Sequence, residues 1–319
     1  MRKILGIDLG GTSAKVGIVN QFGELETSFV VKNDKDNLLE NLAMKTINKV
    51  EELGYNYDID IERIGFACPG FINHEKGIVV LSGNLNLENF DIKTTIKKLF
   101  KKQEVHVLND VNAAALGEYW IGAASRYSSG LFYWLGTGIG GAIVSENKLV
   151  SGEHGFAGEF GHGGKMQTLY KCNCGLDYCI ERTCSAVSFG KTFMKLLKDN
   201  NLTSISKLFD KPNDITMEDI ARVYKANNKP QEIRALIEEI YQPLFNHMAI
   251  MIQALDPALI VIGGGGSGMG TDLLEIIEEN VKPLIVKIIR DEITFDLASL
   301  GNNSGIVGAA YYSINNWDY

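Results

Sequence analysis

The sequence predicts an α/β protein made of two related domains with a cleft between them. Three observations carry this expectation. The first 30 residues read as strand, glycine turn, strand, hairpin turn and strand. The opening pattern returns after about residue 125, where Tyr133-Trp-Leu-Gly-Thr-Gly echoes Leu5-Gly-Ile-Asp-Leu-Gly-Gly-Thr. A chain of 319 residues is long enough for two domains, each with its own core. The division expected is 1–112, completed by about 303–319, and 113–302.

The elements follow in order. Ile4 to Ile7 is a short apolar run, Asp8-Leu-Gly10-Gly11-Thr12 a turn, and Ala14 to Val19 a second strand. Gln21 to Glu24 is a hairpin turn, and Leu25 to Val31 is a third strand. Between 36 and 53, Leu38, Leu42, Ile47 and Val50 are spaced as on a helix that Gly54 stops. Ile64 to Cys68 is a buried strand ending at Pro69-Gly70. A short helix at 93–101 and a strand at 105–108 lead to Asn109-Asp110, which opens another helix. The second half repeats strand, Gly136-Thr137-Gly138-Ile139-Gly140-Gly141, strand. Helices are expected at about 186–199, 216–226 and 231–255, and a buried strand at 259–262 runs into Gly263 to Gly266. A last helix, from about Ser304 to Ser313, is expected to return to the first domain.

Composition narrows the class. Hydrophobic residues make up 45% and charged residues 22%, as in an ordinary globular protein. No apolar run approaches the roughly 18 residues that a spanning helix needs, so no membrane role is expected. The N-terminus enters a strand without the apolar core of a signal peptide, which points to the cytoplasm. A net charge of −8 with no long basic block argues against a nucleic-acid surface.

The densest chemistry lies between residues 162 and 184. His162 is followed, after nine residues, by Cys172, Cys174 and Cys179, with Glu181 just beyond. Three thiolates and one imidazole complete a tetrahedral Zn²⁺ set, and a closed set of four is structural. Four of the five cysteines cluster here. In a reducing compartment such a cluster is more often metal-binding than a redox pair or disulfide. Cys184 is a spare that could replace a ligand, and Cys68 reads as a small buried residue. Glu159 and Glu181 are surface carboxylates by default, but neighbouring metal ligands would fix them in space.

Three glycine-rich loops, at 8–12, 136–141 and 263–266, each follow an apolar strand. Glycine lets backbone N–H groups approach phosphate oxygens. None fits the P-loop pattern, and 136–141 is followed by a strand rather than the helix of a dinucleotide-binding turn.

Taken together, Asp8-Leu-Gly10-Gly11-Thr12, Pro69-Gly70, Asn109-Asp110-Val-Asn112-Ala-Ala-Ala-Leu-Gly-Glu118, Gly136 to Gly141, Gly158-Glu159-Phe-Gly161-His162 and the cysteine cluster resemble the ROK family of repressors and sugar kinases, in order and over essentially the whole chain. The resemblance implies the actin-like, ribonuclease-H-like ATPase fold and ATP-dependent phosphorylation of a hexose, with glucose leading and N-acetylmannosamine or N-acetylglucosamine as the alternative. It implies Asp110 as the general base. Asn84, Asn109, Asp110, Glu159, His162 and Glu181 are the implied sugar contacts. Asp8 would face Mg²⁺ and the phosphates, and Gly10, Gly11, Thr12, Gly136, Thr137 and Gly138 would line them. Gly264 and Gly265 would lie near the nucleoside. His162, Cys172, Cys174 and Cys179 would hold the Zn²⁺. A helix N-terminus is expected to keep Asp110 ionised, and a plain N-cap aspartate is the competing reading. Partners are the hexose and ATP, and the resemblance implies a homodimer, or a tetramer. A repressor role is disfavoured because strand one begins at about Lys3 and the chain is acidic. Ser13, Tyr178 and Leu87 depart from the family pattern, in the phosphate, zinc and sugar loops respectively.

Overall fold

The computed structural model describes residues 3–34, 36–102, 104–163, 171–172, 174–264 and 269–315. The strands in chain order are β1 (Lys3–Leu9), β2 (Ser13–Asn20), β3 (Leu25–Lys32), β4 (Ile61–Cys68), β5 (Phe71–Asn73), β6 (Ile78–Ser82), β7 (Leu87–Asp91), β8 (Val105–Asn109), β9 (Gly130–Leu135), β10 (Ile139–Ser145), β11 (Lys148–Leu149), β12 (Leu259–Gly263) and β13 (Thr294–Leu297). The chain forms two compact units, one of Met1–Arg126, Lys148–Ala157 and Ser299–Tyr319, the other of Tyr127–Asn147 and Gly158–Ala298. Helix Asp110–Trp120 stays whole in the first unit because the C-terminal helix Ser304–Ile314 packs against it.

The first unit holds a sheet in the order β3-β2-β1-β4-β8. β1 is antiparallel to β2 and parallel to β4, and β4 is parallel to β8. β1 and β4 are almost continuously buried, as strands covered on both faces must be. β3 alternates between facing the core and facing water. Helix Leu38–Glu52 buries Leu39, Leu42, Ala43, Thr46 and Val50, one stripe at helical spacing. In the second unit β10, β9, β12 and β13 lie side by side. β9 is antiparallel to β10 and parallel to β12, and β12 is parallel to β13, which repeats the β2-β1-β4-β8 plan. The echo in the sequence is therefore an echo in topology. Helices Ala186–Asp199, Met217–Ala226 and Gln231–Leu255 begin and end within a residue of their expected bounds. Among the described residues, no helix is long and apolar enough to cross a membrane.

Helix Ser304–Ile314 is buried along most of its length and touches β1, β4 and helix Asp110–Trp120. The approach is backbone to backbone. A Cβ at Gly65 would lie 1.8 Å from Ala309 O, and one at Gly308 would lie 1.6 Å from Ala113 O. Nearby, the fully buried Glu118 carboxylate accepts from the N–H groups of Ala123, Ser299 and Leu300 and from Ser299 Oγ, at 2.8–3.0 Å. It ties the end of helix Asp110–Trp120 to the segment that leads into the C-terminal helix.

Gly308→Ala forces backbone to move, so urea denaturation is expected to show a loss at or above the upper end of about 1–3 kcal/mol typical of overpacking. An unchanged midpoint would refute the close approach.

Candidate active site and metal centre

Asp8 lies near the end of β1, where it pairs in register with Lys15 of β2. Behind it, Asp8 Oδ2 packs on the first turn of helix Ser304–Ile314, so close that a Cβ at Gly305 would meet it at 2.6 Å. The turn that follows is closed by Gly10 N donating to Ser13 O at 2.9 Å and by Asn33 Nδ2 donating to Gly10 O at 2.8 Å. Gly11 and Thr12 are exposed at its tip.

Asp110 is the first residue of helix Asp110–Trp120, and Asn109 is its cap. Asn109 Oδ1 accepts from Val111 N and Asn112 N at 2.8 and 3.1 Å, while its Nδ2 donates to Gly70 O at 3.0 Å. The competing reading of Asp110 as a plain N-cap is thus corrected: Asn109 is the cap, and Asp110, one residue on, also accepts from Val111 N through its Oδ1 at 3.0 Å. Capping also occupies much of the hydrogen-bonding capacity of Asn109. Asn84 is exposed in the turn between β6 and β7.

The helix N-terminus, expected to keep Asp110 ionised, does favour the charged form but is not the largest influence on it. Burial pushes its carboxyl up to about 6, and the charge of Asp8 adds to the rise. The Val111 N–H, its own N–H and Asn109 pull the other way without winning. Burial likewise raises Asp8, against the opposing charge of Lys15. Both residues are half-buried, and the charge of Asp8 disfavours ionisation of Asp110.

In the second unit, ligand atoms of His162, Cys172, Cys174 and Cys179 all lie within 4.8 Å of one another. Tetrahedral zinc with Zn–S bonds of about 2.3 Å sets its sulfurs about 3.8 Å apart. Here Cys174 Sγ and Cys179 Sγ are 3.5 Å apart, and Cys172 Sγ is 3.6 Å from His162 Nδ1. The donor set and its spacing fit the metal. His162 Nε2, expected to face a sugar, lies 4.0 Å from Glu159 Oε2, beyond hydrogen-bond distance. Cys184 is not a substitute ligand: it is buried, its thiol donates to Ile240 O at 3.2 Å, and burial pushes it up to about 12. Cys68 is fully buried, as read from the sequence.

The turn Gly136-Thr137-Gly138 joins β9 to β10, with Thr137 exposed. Glu181 reaches this turn, its Oε2 accepting from Ile139 N at 3.1 Å. Gly264 follows β12 and packs on the Leu135 backbone. Gly265 lies outside the described residues. Lys15 and Glu118 were not singled out in the sequence. The hairpin register about residues 10–12 would have placed Lys15 opposite Asp8, but the motif that ends in Glu118 gives no sign of its role, since three of its four donors lie at 299–300.

Over residues 4–315 the chain matches the ROK family. It is a ROK-family protein. A glucokinase of Halalkalibacterium halodurans is 30% identical, over 97% of this chain and 94% of that one. An N-acetyl-D-glucosamine kinase of Mannheimia succiniciproducens is 29% identical, over 96% and 98%. Among solved structures, a ROK-family glucokinase from Streptomyces griseus, in complex with glucose and AMPPNP, superposes with a TM-score of 0.78 at 26% identity, over 97% and 98%. The ROK fold, actin- and hexokinase-like with mixed α/β sheets, accounts for the repeated sheet plan seen here.

For this ROK chain, metal analysis is expected to give one zinc per protein, and Cys179→Ser is expected to abolish tight binding with a fall in thermal midpoint. A metal-free protein of unchanged stability would contradict a structural zinc.

Proposed function

We propose that this ROK-family sugar kinase transfers the γ-phosphate of ATP to a hydroxyl of a hexose, with glucose converted to glucose 6-phosphate as the leading reaction. The observation that carries the reading is the half-buried Asp110 carboxyl at the start of its helix, raised to about 6 by desolvation and by the charge of Asp8. A base of that strength is ionised at neutral pH yet basic enough to accept a proton. Family membership and the similarity to kinases of glucose and of N-acetyl-D-glucosamine support the chemistry. The acceptor is the finer question. An N-acetylhexosamine, N-acetylmannosamine or N-acetylglucosamine, is the second reading, favoured by a relative almost as similar as the glucokinase.

In this mechanism the Asp110 carboxylate accepts the hydroxyl proton as the sugar oxygen bonds to phosphorus and ADP leaves. Asn109 holds the start of the helix, and with it Asp110, in place. Glu159, His162, Glu181 and Asn84 supply hydrogen bonds to ring hydroxyls. Gly10, Gly11, Thr12, Gly136, Thr137 and Gly138 offer backbone groups to phosphate oxygens, and Gly264 lies near the nucleoside. Mg²⁺ arriving with ATP would supply charge neutralisation at the phosphates and would need few protein carboxylates. Asp8 is the residue that would hold it, and Lys15, paired in register with Asp8, would add positive charge there. Zinc at His162, Cys172, Cys174 and Cys179 would order the loop that carries Glu181.

ADP release is measured with Mg-ATP and glucose, mannose, fructose, N-acetylglucosamine or N-acetylmannosamine. Turnover is expected, best on glucose, with kcat/KM falling as pH drops through about 6. Preference for an acetylated sugar would move the assignment to the second reading, and no turnover on any would reject a hexose kinase. Asp110→Asn is expected to lower kcat by about 10²–10⁴. It is also expected to raise the thermal midpoint at neutral pH. The folded-state pKa of Asp110 lies above its unfolded value, so the ionised group destabilises the fold above pH 6, and that penalty fades as pH falls. Near-normal kcat in Asp110→Asn would remove it as the base.

A further inference from the structure

The segment carrying the metal ligands also grips the glycine turn of residues 136–139, and Glu181 is the grip. Its Oε2 accepts from Ile139 N at 3.1 Å. A Cβ at Gly138 would lie 2.4 Å from the same oxygen, so only glycine admits the carboxylate there. The two ends of the turn are fixed by the same stretch of chain. Ala186 N donates to Gly136 O at 2.9 Å, and Gly161 passes Ile139 O so closely that a Cβ would sit 2.3 Å away. Glu181 is itself held: its N–H donates to Gly161 O at 3.0 Å, its Oε1 lies 4.0 Å from Cys172 Sγ, and Cys179 stands two residues before it.

We propose that Glu181 is a positioning residue for the glycine turn, and that through it the metal-bearing segment sets nucleotide affinity. The proposal rests on the reading that this turn meets the phosphates of ATP. The physical reason is local. A glycine turn has little intrinsic preference for one backbone conformation, and a hydrogen bond to a charged acceptor holds Ile139 N and the peptide before it in one orientation. The N–H groups left at the turn then keep a fixed direction when phosphate arrives, so less ordering opposes binding. Zinc enters only by fixing the backbone on which Glu181 stands.

The test is calorimetric titration of zinc-loaded protein with Mg-AMPPNP, in the absence of sugar, for the unaltered chain, Glu181→Ala and Glu181→Gln. Alanine removes the acceptor, and glutamine keeps an oxygen for Ile139 N. Glu181→Ala is expected to weaken nucleotide binding about tenfold or more, the worth of a hydrogen bond to a charged group, and Glu181→Gln to restore most of it. Equal affinity in the alanine variant, or equal loss in both, would overturn the proposal. An unaltered chain that binds no nucleotide would bring down the kinase reading together with this one, whereas binding that Glu181→Ala leaves unmoved rejects the grip alone. Should the alanine variant not fold, amide hydrogen exchange at Ile139 in the unaltered chain replaces it. Chelation of the metal is expected to speed that exchange, and unchanged protection would overturn the proposal.

Discussion

The first unit depends on a contact that leaves no room for side chains. Helix Ser304–Ile314 lies against β1, β4 and helix Asp110–Trp120 with glycines at the points of closest approach. That spacing holds the carboxylate at the end of β1 near enough to the one at the start of the Asp110 helix for its charge to raise the latter. Wider packing would let water between the elements and relax the burial that raises both groups. The Glu118 carboxylate secures the same arrangement from the far end of the helix, where a fully buried acceptor meets four donors. Such a group stabilises only while every partner is in place.

Asp110 shows how the packing becomes chemistry. A helix N-terminus favours a carboxylate, and the first N–H groups of its helix do lower its pKa, but desolvation and the neighbouring Asp8 outweigh them. The outcome is a carboxyl poised just below neutrality, which suits a proton acceptor and disfavours the fold. Division of labour makes this possible. Asn109 supplies the cap by accepting from Val111 N and Asn112 N, so Asp110 shares the Val111 N–H without being the cap.

Much of this was legible in the sequence. Glycine turns between apolar runs marked both halves of the duplicated sheet, and long periodic segments marked helices Ala186–Asp199 and Gln231–Leu255, because both signals are local. The cluster that could hold a metal was legible for the same reason, since three of its four residues lie within eight residues. Short elements escaped. β5, β6 and β7 are three to five residues long, and β13 has four, too few to show a period. Helix Thr271–Val281 follows a glycine run that reads as loop. The side-chain roles that escaped are non-local: three of the four donors to Glu118 lie 181 or 182 residues away, and the Glu181 hydrogen bond spans 42. The pKa of Asp110 depends on burial and on Asp8, neither of which its own neighbours in sequence reveal.

The most direct test of the paired carboxylates is a carbon-detected NMR titration of the Asp110 side chain, assigned by its loss in Asp110→Asn, in the unaltered protein and in Asp8→Asn. Asp110 is expected to titrate at about 6 and to move down when the charge of Asp8 is removed. A midpoint near the ordinary carboxylate value of about 4, unmoved by Asp8→Asn, would contradict that coupling and with it the basis for Asp110 as the proton acceptor.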